Sequence, residues 1–329
     1  MNDFSGSPLI EHPNLELAKK HIPAEFHDIA TQLFENGYAI IDFPDSEIVD
    51  RSNRIIKSLQ PKFDLEFWKN NQWARGESLR ITDGWIDNQD IREIAINESI
   101  LQMLSQLYGR PAFPFQTLNF PVGTQQNVHS DTMHFNSIPE RWMCGVWLAL
   151  EDIDKDNGPL IYYPGTHRWP ILWGEHLGLN LAHTSAPGQH LFDPHWQKQI
   201  RASKIQPQTL RCKKGQAVIW MANLLHGGGK QIDKNRTRWT QVTHYYFENC
   251  AYWRPYASNL STGEIFSFTP PNISTGTGYA ASESTKAKTP SDFDPKRYIA
   301  LNPDLHALSE AHAVEHWILN GIHERRIYK

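Results

Sequence analysis

The segments FPFQTLNF (113–120), MCGVWLAL (143–150), GPLIYYPG (158–165), GQAVIWMA (215–222) and WTQVTHYYF (239–247) decide the fold. Each is short, rich in β-branched and aromatic residues, and bounded by Gly, Pro, Asn or Asp, as strands ending in turns are. Upstream of them the period changes. In FHDIATQLFE (26–35), Phe26, Ile29, Ala30, Leu33 and Phe34 fall at helical spacing, with His27, Asp28, Thr31 and Gln32 on the other face. GYAIIDF (37–43) reads as a strand, 46–59 as a second amphipathic helix, and 99–108 as a third, stopped by Gly109 and Pro111. Helices followed by a run of strands predict an α+β chain with an all-β core of sandwich or barrel type.

Beyond the last strand the texture changes again. PPNISTGTGYAASESTKAKTP (270–290) is poor in large apolar residues and rich in Ser, Thr, Gly, Ala and Pro, which is linker composition. FDPKRYIALNPDLHAL (293–308) and AVEHWILNGIHERR (313–326) then read as two short helices, with a turn at Asn302-Pro303-Asp304 and Gly321 as a C-cap. The expected organisation is a main domain over 1–270, a linker over 271–290 and a small C-terminal helical module over 291–329.

Of the 329 residues, 32 are Lys or Arg and 36 are Asp or Glu, so the net charge is -4, and no basic run follows a phosphate backbone. Nucleic acid is excluded as the expected partner. No apolar run approaches the roughly 18 residues of a membrane span, and mean hydropathy is -0.54. The first residues, MNDFSGSPLIEHPNLELAKK, carry charges where a signal peptide is apolar. Cys144, Cys212 and Cys250 are too far apart for a disulfide framework or a zinc knuckle. The expected compartment is the cytoplasm.

The chemistry lies in His129-Ser130-Asp131, just after a strand-like stretch. Residues two apart on a strand share a face, so an imidazole and a carboxylate can converge on one ion. A third ligand is offered by His226 in NLLHGGG (223–229), where the strand GQAVIWMA runs into a glycine-rich turn. Two imidazoles and a carboxylate on one face of an octahedral ion leave three positions open, the ligand set of non-haem Fe(II) oxygenases. The bland alternative is a chance tripeptide of solvated side chains. His134 is a rival ligand, but along a strand it faces away from His129, and His244 reads as a core or supporting histidine. Arg236 and Arg238 follow His226 by ten and twelve residues. An arginine fork matches a carboxylate bidentately and stays charged in a closed site. For Arg236 the preferred reading is a surface pair with Asp233.

The segment QTLNFPVGTQQNVHSDTMHFNSIPERWMCGVWLALEDIDKDNGPLIYYPGTHRWP (116–170) resembles the phytanoyl-CoA dioxygenase family. It carries the family's Asn-Gly-Pro-Leu turn at 157–160 and its Pro-Gly-Ser/Thr-His at 164–167, and the resemblance runs on through LLHGGG and RTRWTQVTHYYF, over roughly residues 25–250. The resemblance implies a double-stranded β-helix (jelly-roll, cupin-like) core, Fe(II), 2-oxoglutarate and O2, and most simply hydroxylation of a small molecule. It implies His129, Asp131 and His226 as iron ligands and Arg238 as the partner of the distal carboxylate of 2-oxoglutarate. Gln116 and Trp147 fall where relatives line the cosubstrate pocket, and Arg80, in LRITDGW (79–85), where some relatives put a basic residue. Desaturation, epimerisation or cyclisation by the same oxidant, or a non-catalytic jelly-roll binding protein, are the alternatives.

One departure is informative. Many relatives have Ser two residues after the distal His, where this chain has Gly228; Thr240 or Gln126 are the candidate replacements as donors. The retained Asp131 disfavours halogenation, since related halogenases put a small residue there. GGGK (227–230) lacks the spacing of a phosphate loop. Tyr162, Tyr163 and Trp169 are candidates for a substrate mouth, with packing as the plainer reading. No basic cluster demands a CoA thioester. The C-terminal module resembles a short helical unit found appended to bacterial glycosyltransferases and secreted proteins, and it is expected to serve in docking or oligomer contact.

Overall fold

A computed structural model describes residues 6–71, 79–178, 191–260, 263, 265–277, 285–287, 290, 292–306, 310, 313, 314, 317, 327 and 328. The expected helices are present as His27–Asn36, Ile48–Leu59 and Glu98–Tyr108. Asn97 caps the last one by accepting the Ile100 N–H, and Gly109 closes it at φ 90°, a left-handed geometry that glycine adopts without penalty. A further helix, Gln89–Ala95, precedes it.

Six antiparallel strands form the main sheet: β1 (Tyr38–Asp42), β8 (Gln216–Met221), β5 (Met143–Ala149), β10 (Thr240–Phe247), β3 (Ala112–Phe120) and β2 (Ile81–Thr82), in that order across it. A three-stranded sheet has the order β7 (Gln208–Thr209), β6 (Leu160–Tyr162), β9 (His226–Gly228). A four-stranded one runs β13 (Thr285–Ala287), β12 (Ile265–Ser267), β11 (Ala251–Trp253), β4 (Asn136–Ile138). The architecture is the expected jelly-roll with flanking N-terminal helices.

Strand alternation divides the main sheet into two faces. Cys144, Val146, Leu148, Ala217, Ile219, Met221, Tyr245 and Phe247 face the helices and share one core with Leu33, Ile55, Ile94, Leu104 and Leu107. The intervening Trp147, Val218, Trp220 and Val242 face inward and pack with Leu118, Phe120 and, from β6, Leu160 and Tyr162. The helices thus seal the outer face, and the inner face is left to build a cavity. Among the described residues no helix is long and apolar enough to cross a membrane.

The C-terminal stretch makes closer contacts than linker composition predicts. Ile273 is fully buried and donates its N–H to the Pro114 carbonyl at 2.9 Å. Tyr298, Leu305, Ala313, Val314 and Trp317 share a core with Ile171, Trp173, Trp253, Leu260 and Ile265. The expected helix over 293–308 is present as Pro295–Leu301 and a short turn Pro303–Leu305. The expected C-cap Gly321 and most of the second helix lie outside the described residues.

Candidate active site

His129 and His226 lie opposite one another and exchange both main-chain hydrogen bonds, at 2.8 and 3.0 Å. Asp131 opens a single 3-10 turn, Asp131–Met133, in which Ser130 accepts the Thr132 N–H. His129 and Asp131 therefore converge because the chain turns, and not by the strand pleat that the sequence predicts. The same turn corrects the expectation for His134. It breaks the alternation, so that His134 lines the same cavity, with its ring centroid 6.2 Å from that of His129.

The ligand atoms of His129, Asp131 and His226 all lie within 4.8 Å of one another, and all three residues are buried. Asp131 Oδ1 is 3.6 Å from His129 Nε2 and 3.7 Å from His226 Nε2. The outer nitrogens set the tautomers: His129 Nδ1 is 2.9 Å from the Asn127 carbonyl, and His226 Nδ1 is 3.0 Å from the Leu224 carbonyl. A carbonyl only accepts, so each Nδ1 carries the proton and each Nε2 turns a lone pair inward. Burial pushes His226 down to about 4, keeping it neutral as a metal ligand must be. Burial opposes ionisation of Asp131, but His226, His129 and His244 hold its carboxyl well below the usual carboxylate range.

Two side chains support Asp131: Trp220, which sequence reasoning missed, and His244, which it read as a core or supporting histidine. Trp220, on the inward face of β8, donates Nε1–H to Asp131 Oδ2 at 2.7 Å. It has room because Gly145 stands opposite it on β5, where any Cβ would run into the indole. His244 Nε2 lies 3.8 Å from Asp131 Oδ2, and its Nδ1 meets Gln116 Oε1 at 3.0 Å. His244 belongs to the cavity wall as well as to the core.

The cavity, about 300 Å³, opens from this cluster. Arg238 is buried in its wall, over the Trp147 ring at 5.4 Å. One Nη donates to the Val122 carbonyl, whereas Nε is buried without a partner among the described residues. Burial pushes Arg238 down to about 10, which leaves it cationic at neutral pH. An orphaned guanidinium nitrogen beside a two-histidine, one-carboxylate cluster suits a dicarboxylic cosubstrate that chelates a metal at its other end. Arg236 is turned away and pairs with Asp154 at 2.8 and 2.9 Å, not with Asp233 as expected. Gln116, Trp147 and Gln126 line the cavity, and Arg80 sits exposed at its edge.

The departure at Gly228 has a steric reason: a Cβ there would stand 2.5 Å from the Gln125 main-chain nitrogen. Thr240 is buried but does not line the cavity, whereas Gln126 does. Tyr162 packs at a tilt against Tyr38 with centroids 4.2 Å apart, and Tyr163 and Trp169 pack beside Phe192 and Trp196, so all three serve packing.

A family model described as phytanoyl-CoA dioxygenase (PhyH) matches residues 33–237. The peroxisomal phytanoyl-CoA dioxygenase of Rattus norvegicus is 29% identical over 132 residues, covering 38% of this chain and 34% of that protein. The probable phytanoyl-CoA dioxygenase of Caenorhabditis elegans is 21% identical over 204 residues, 56% of this chain and 59% of that one. The chain thus spans about a third of the rat relative and under two thirds of the nematode one. Among solved structures, the non-heme alpha ketoglutarate dependent epimerase SnoN from nogalamycin biosynthesis superposes with a TM-score of 0.54 at 16% identity, over 82% of this chain and 95% of that one. EctD from S. alaskensis with bound Fe does so at 0.50 and 18%, over 69% and 77%. At these identities the likeness is one of fold.

Proposed function

The chain belongs to the phytanoyl-CoA dioxygenase family, and from that premise we propose that it is an Fe(II)/2-oxoglutarate-dependent dioxygenase. In this reading it most simply hydroxylates a C–H bond of a small metabolite, with release of succinate and CO2. The observation that carries it is the convergence of three buried ligand atoms within 4.8 Å, with both imidazoles locked to present Nε2.

His129, Asp131 and His226 would hold the iron, and Arg238 the distal carboxylate of 2-oxoglutarate. With 2-oxoglutarate and O2, such an iron centre supplies oxidation of an unactivated C–H bond. The residues of the chain do the rest. Trp220 fixes the Asp131 carboxylate so that Oδ1 stays turned toward the two histidines. Trp147 and Phe120 wall the Arg238 guanidinium off from water, which strengthens its grip on an anion. Gln116 holds His244 beside Asp131. Arg80, exposed at the cavity edge, is a candidate second contact for the cosubstrate.

The proposed division keeps this chemistry in 1–270 and leaves 291–329, beyond the 271–290 connection, a packing or docking role. The cytoplasm is the proposed compartment, supported by three free cysteines. The test is succinate formation from 2-oxoglutarate with Fe(II), read together with iron occupancy. His129→Ala and His226→Ala should each abolish both. Retention of most of the wild-type rate with iron intact in either variant would overturn the ligand assignment.

A further inference from the structure

A second guanidinium lies in the cavity with no counter-charge among the described residues. Arg254 follows β11 and is fixed to β12 by its N–H, which donates to the Phe266 carbonyl at 3.0 Å. Its side chain lies over the rings of Phe268, at 4.8 Å, and Phe135, at 5.7 Å. Nη1 donates to the Tyr256 hydroxyl at 3.1 Å, and Nε is buried without a partner among the described residues. Tyr256 in turn stands against His134, with centroids 5.6 Å apart. Arg254 thus belongs to a different wall from Arg238, which enters from the start of β10 in the main sheet.

The charges around the cavity do not balance. Its lining includes three arginines, Arg80, Arg238 and Arg254, and one acid, Asp131. A divalent ion, the Asp131 carboxylate, a doubly charged cosubstrate and Arg238 cancel one another. Arg80 and Arg254 remain, and among the described residues neither has a carboxylate within ion-pair distance. A half-buried guanidinium between two phenyl rings has lost much of its hydration, and an anion would restore what burial removed.

The geometry points to an anionic substrate, a small molecule whose carboxylate or phosphate is received by Arg254 while its reacting carbon faces the His129–Asp131–His226 cluster. This rests on the proposed dioxygenase reading. It adds to that reading the charge of the substrate and the residue that selects it. Phe135 and Phe268 suit an apolar portion next to the anionic group.

The experiment uses the full chain with Fe(II) and 2-oxoglutarate under anaerobic conditions, followed by calorimetry. Binding of iron and 2-oxoglutarate is measured first. Acetate, benzoate and inorganic phosphate are then titrated, with acetamide and benzamide as neutral partners of the two acids. At least one anion should bind, an acid about tenfold or more above its amide. Arg254→Gln should remove that binding, Arg254→Lys should restore part of it, and the affinity for 2-oxoglutarate should stay within about twofold in both. Whether acetate, benzoate or phosphate binds best tells carboxylate from phosphate. Equal binding of acids and amides with none of phosphate, no anion binding at all, or undiminished anion binding in a folded Arg254→Gln would overturn the proposal. So would a parallel loss of 2-oxoglutarate, which would make Arg254 a cosubstrate ligand. If the wild type took up neither iron nor 2-oxoglutarate, the dioxygenase reading would fail on its own. The same titrations on the metal-free protein would still decide whether Arg254 receives anions.

Discussion

Single side chains carry the sharpest expectations. Trp220 holds Asp131 through one 2.7 Å hydrogen bond in a dry environment, and loss of such an outer contact typically costs 10–100-fold in metal affinity. Trp220→Phe keeps the ring and removes the donor, so iron affinity should fall by ~10–100-fold, as a competition titration against a chelator would measure. An unchanged affinity would mean that the two histidines alone fix the carboxylate. Arg238 and Arg236 make a second contrast. Arg238→Ala should raise the 2-oxoglutarate concentration needed for half-maximal succinate release by roughly one to two orders of magnitude, at ~1.4 kcal/mol per tenfold. Arg236→Ala should change it little, because that side chain is engaged with Asp154 at the surface. The reverse order of effects would exchange their roles. That His129, Asp131, His226 and Arg238 come together was legible because their chemistry is rare and their spacing tells, and they do line one cavity. His244 was legible as a core or supporting histidine, but Trp220 was not. An indole inside a barrel strand looks like any core aromatic until the sheet register shows which face it takes.

At the scale of elements, the central strands read correctly because β-branched and aromatic runs between turn residues are local signals, and the helices because their apolar residues recur at helical spacing, with Gly109 marking one end. What could not be read was the 3-10 turn Asp131–Met133, a three-residue feature that overrides strand period and redirects His134. Nor does a glycine announce its neighbour. At Gly228, in β9, the neighbour is the main chain of Gln125, which cannot move aside as a side chain would. Gly228→Ser, although it restores the residue common in relatives, should destabilise the protein by about 1–3 kcal/mol through overpacking. Chemical denaturation would measure this, and a neutral or stabilising result would show that the 125–126 segment gives way freely.

Across the whole molecule, the C-terminal residues are tied to the rest of the chain by aromatic packing. Trp317 and Tyr298 are buried in the core that includes Trp173 and Trp253. Ending the chain after Pro271 strips this cover and removes the fully buried Ile273. Burial of each large apolar side chain is worth ~1.5–3 kcal/mol, so the shortened protein should melt at least ~4 °C below the full chain. Equal melting temperatures would mean that the tail merely rests on the domain. This contact was hidden in the sequence because low-complexity composition describes the connection and says nothing of where its far end docks. The pairing of His129 with His226 has a consequence of another kind. In polymer terms, an ion held by these two residues and Asp131 cross-links points about a hundred residues apart, closing a long loop. Because the three ligands meet only in the folded chain, occupancy and folding draw on one equilibrium. The proposed ion would then be a clasp, and the intervening hundred residues the belt that it fastens.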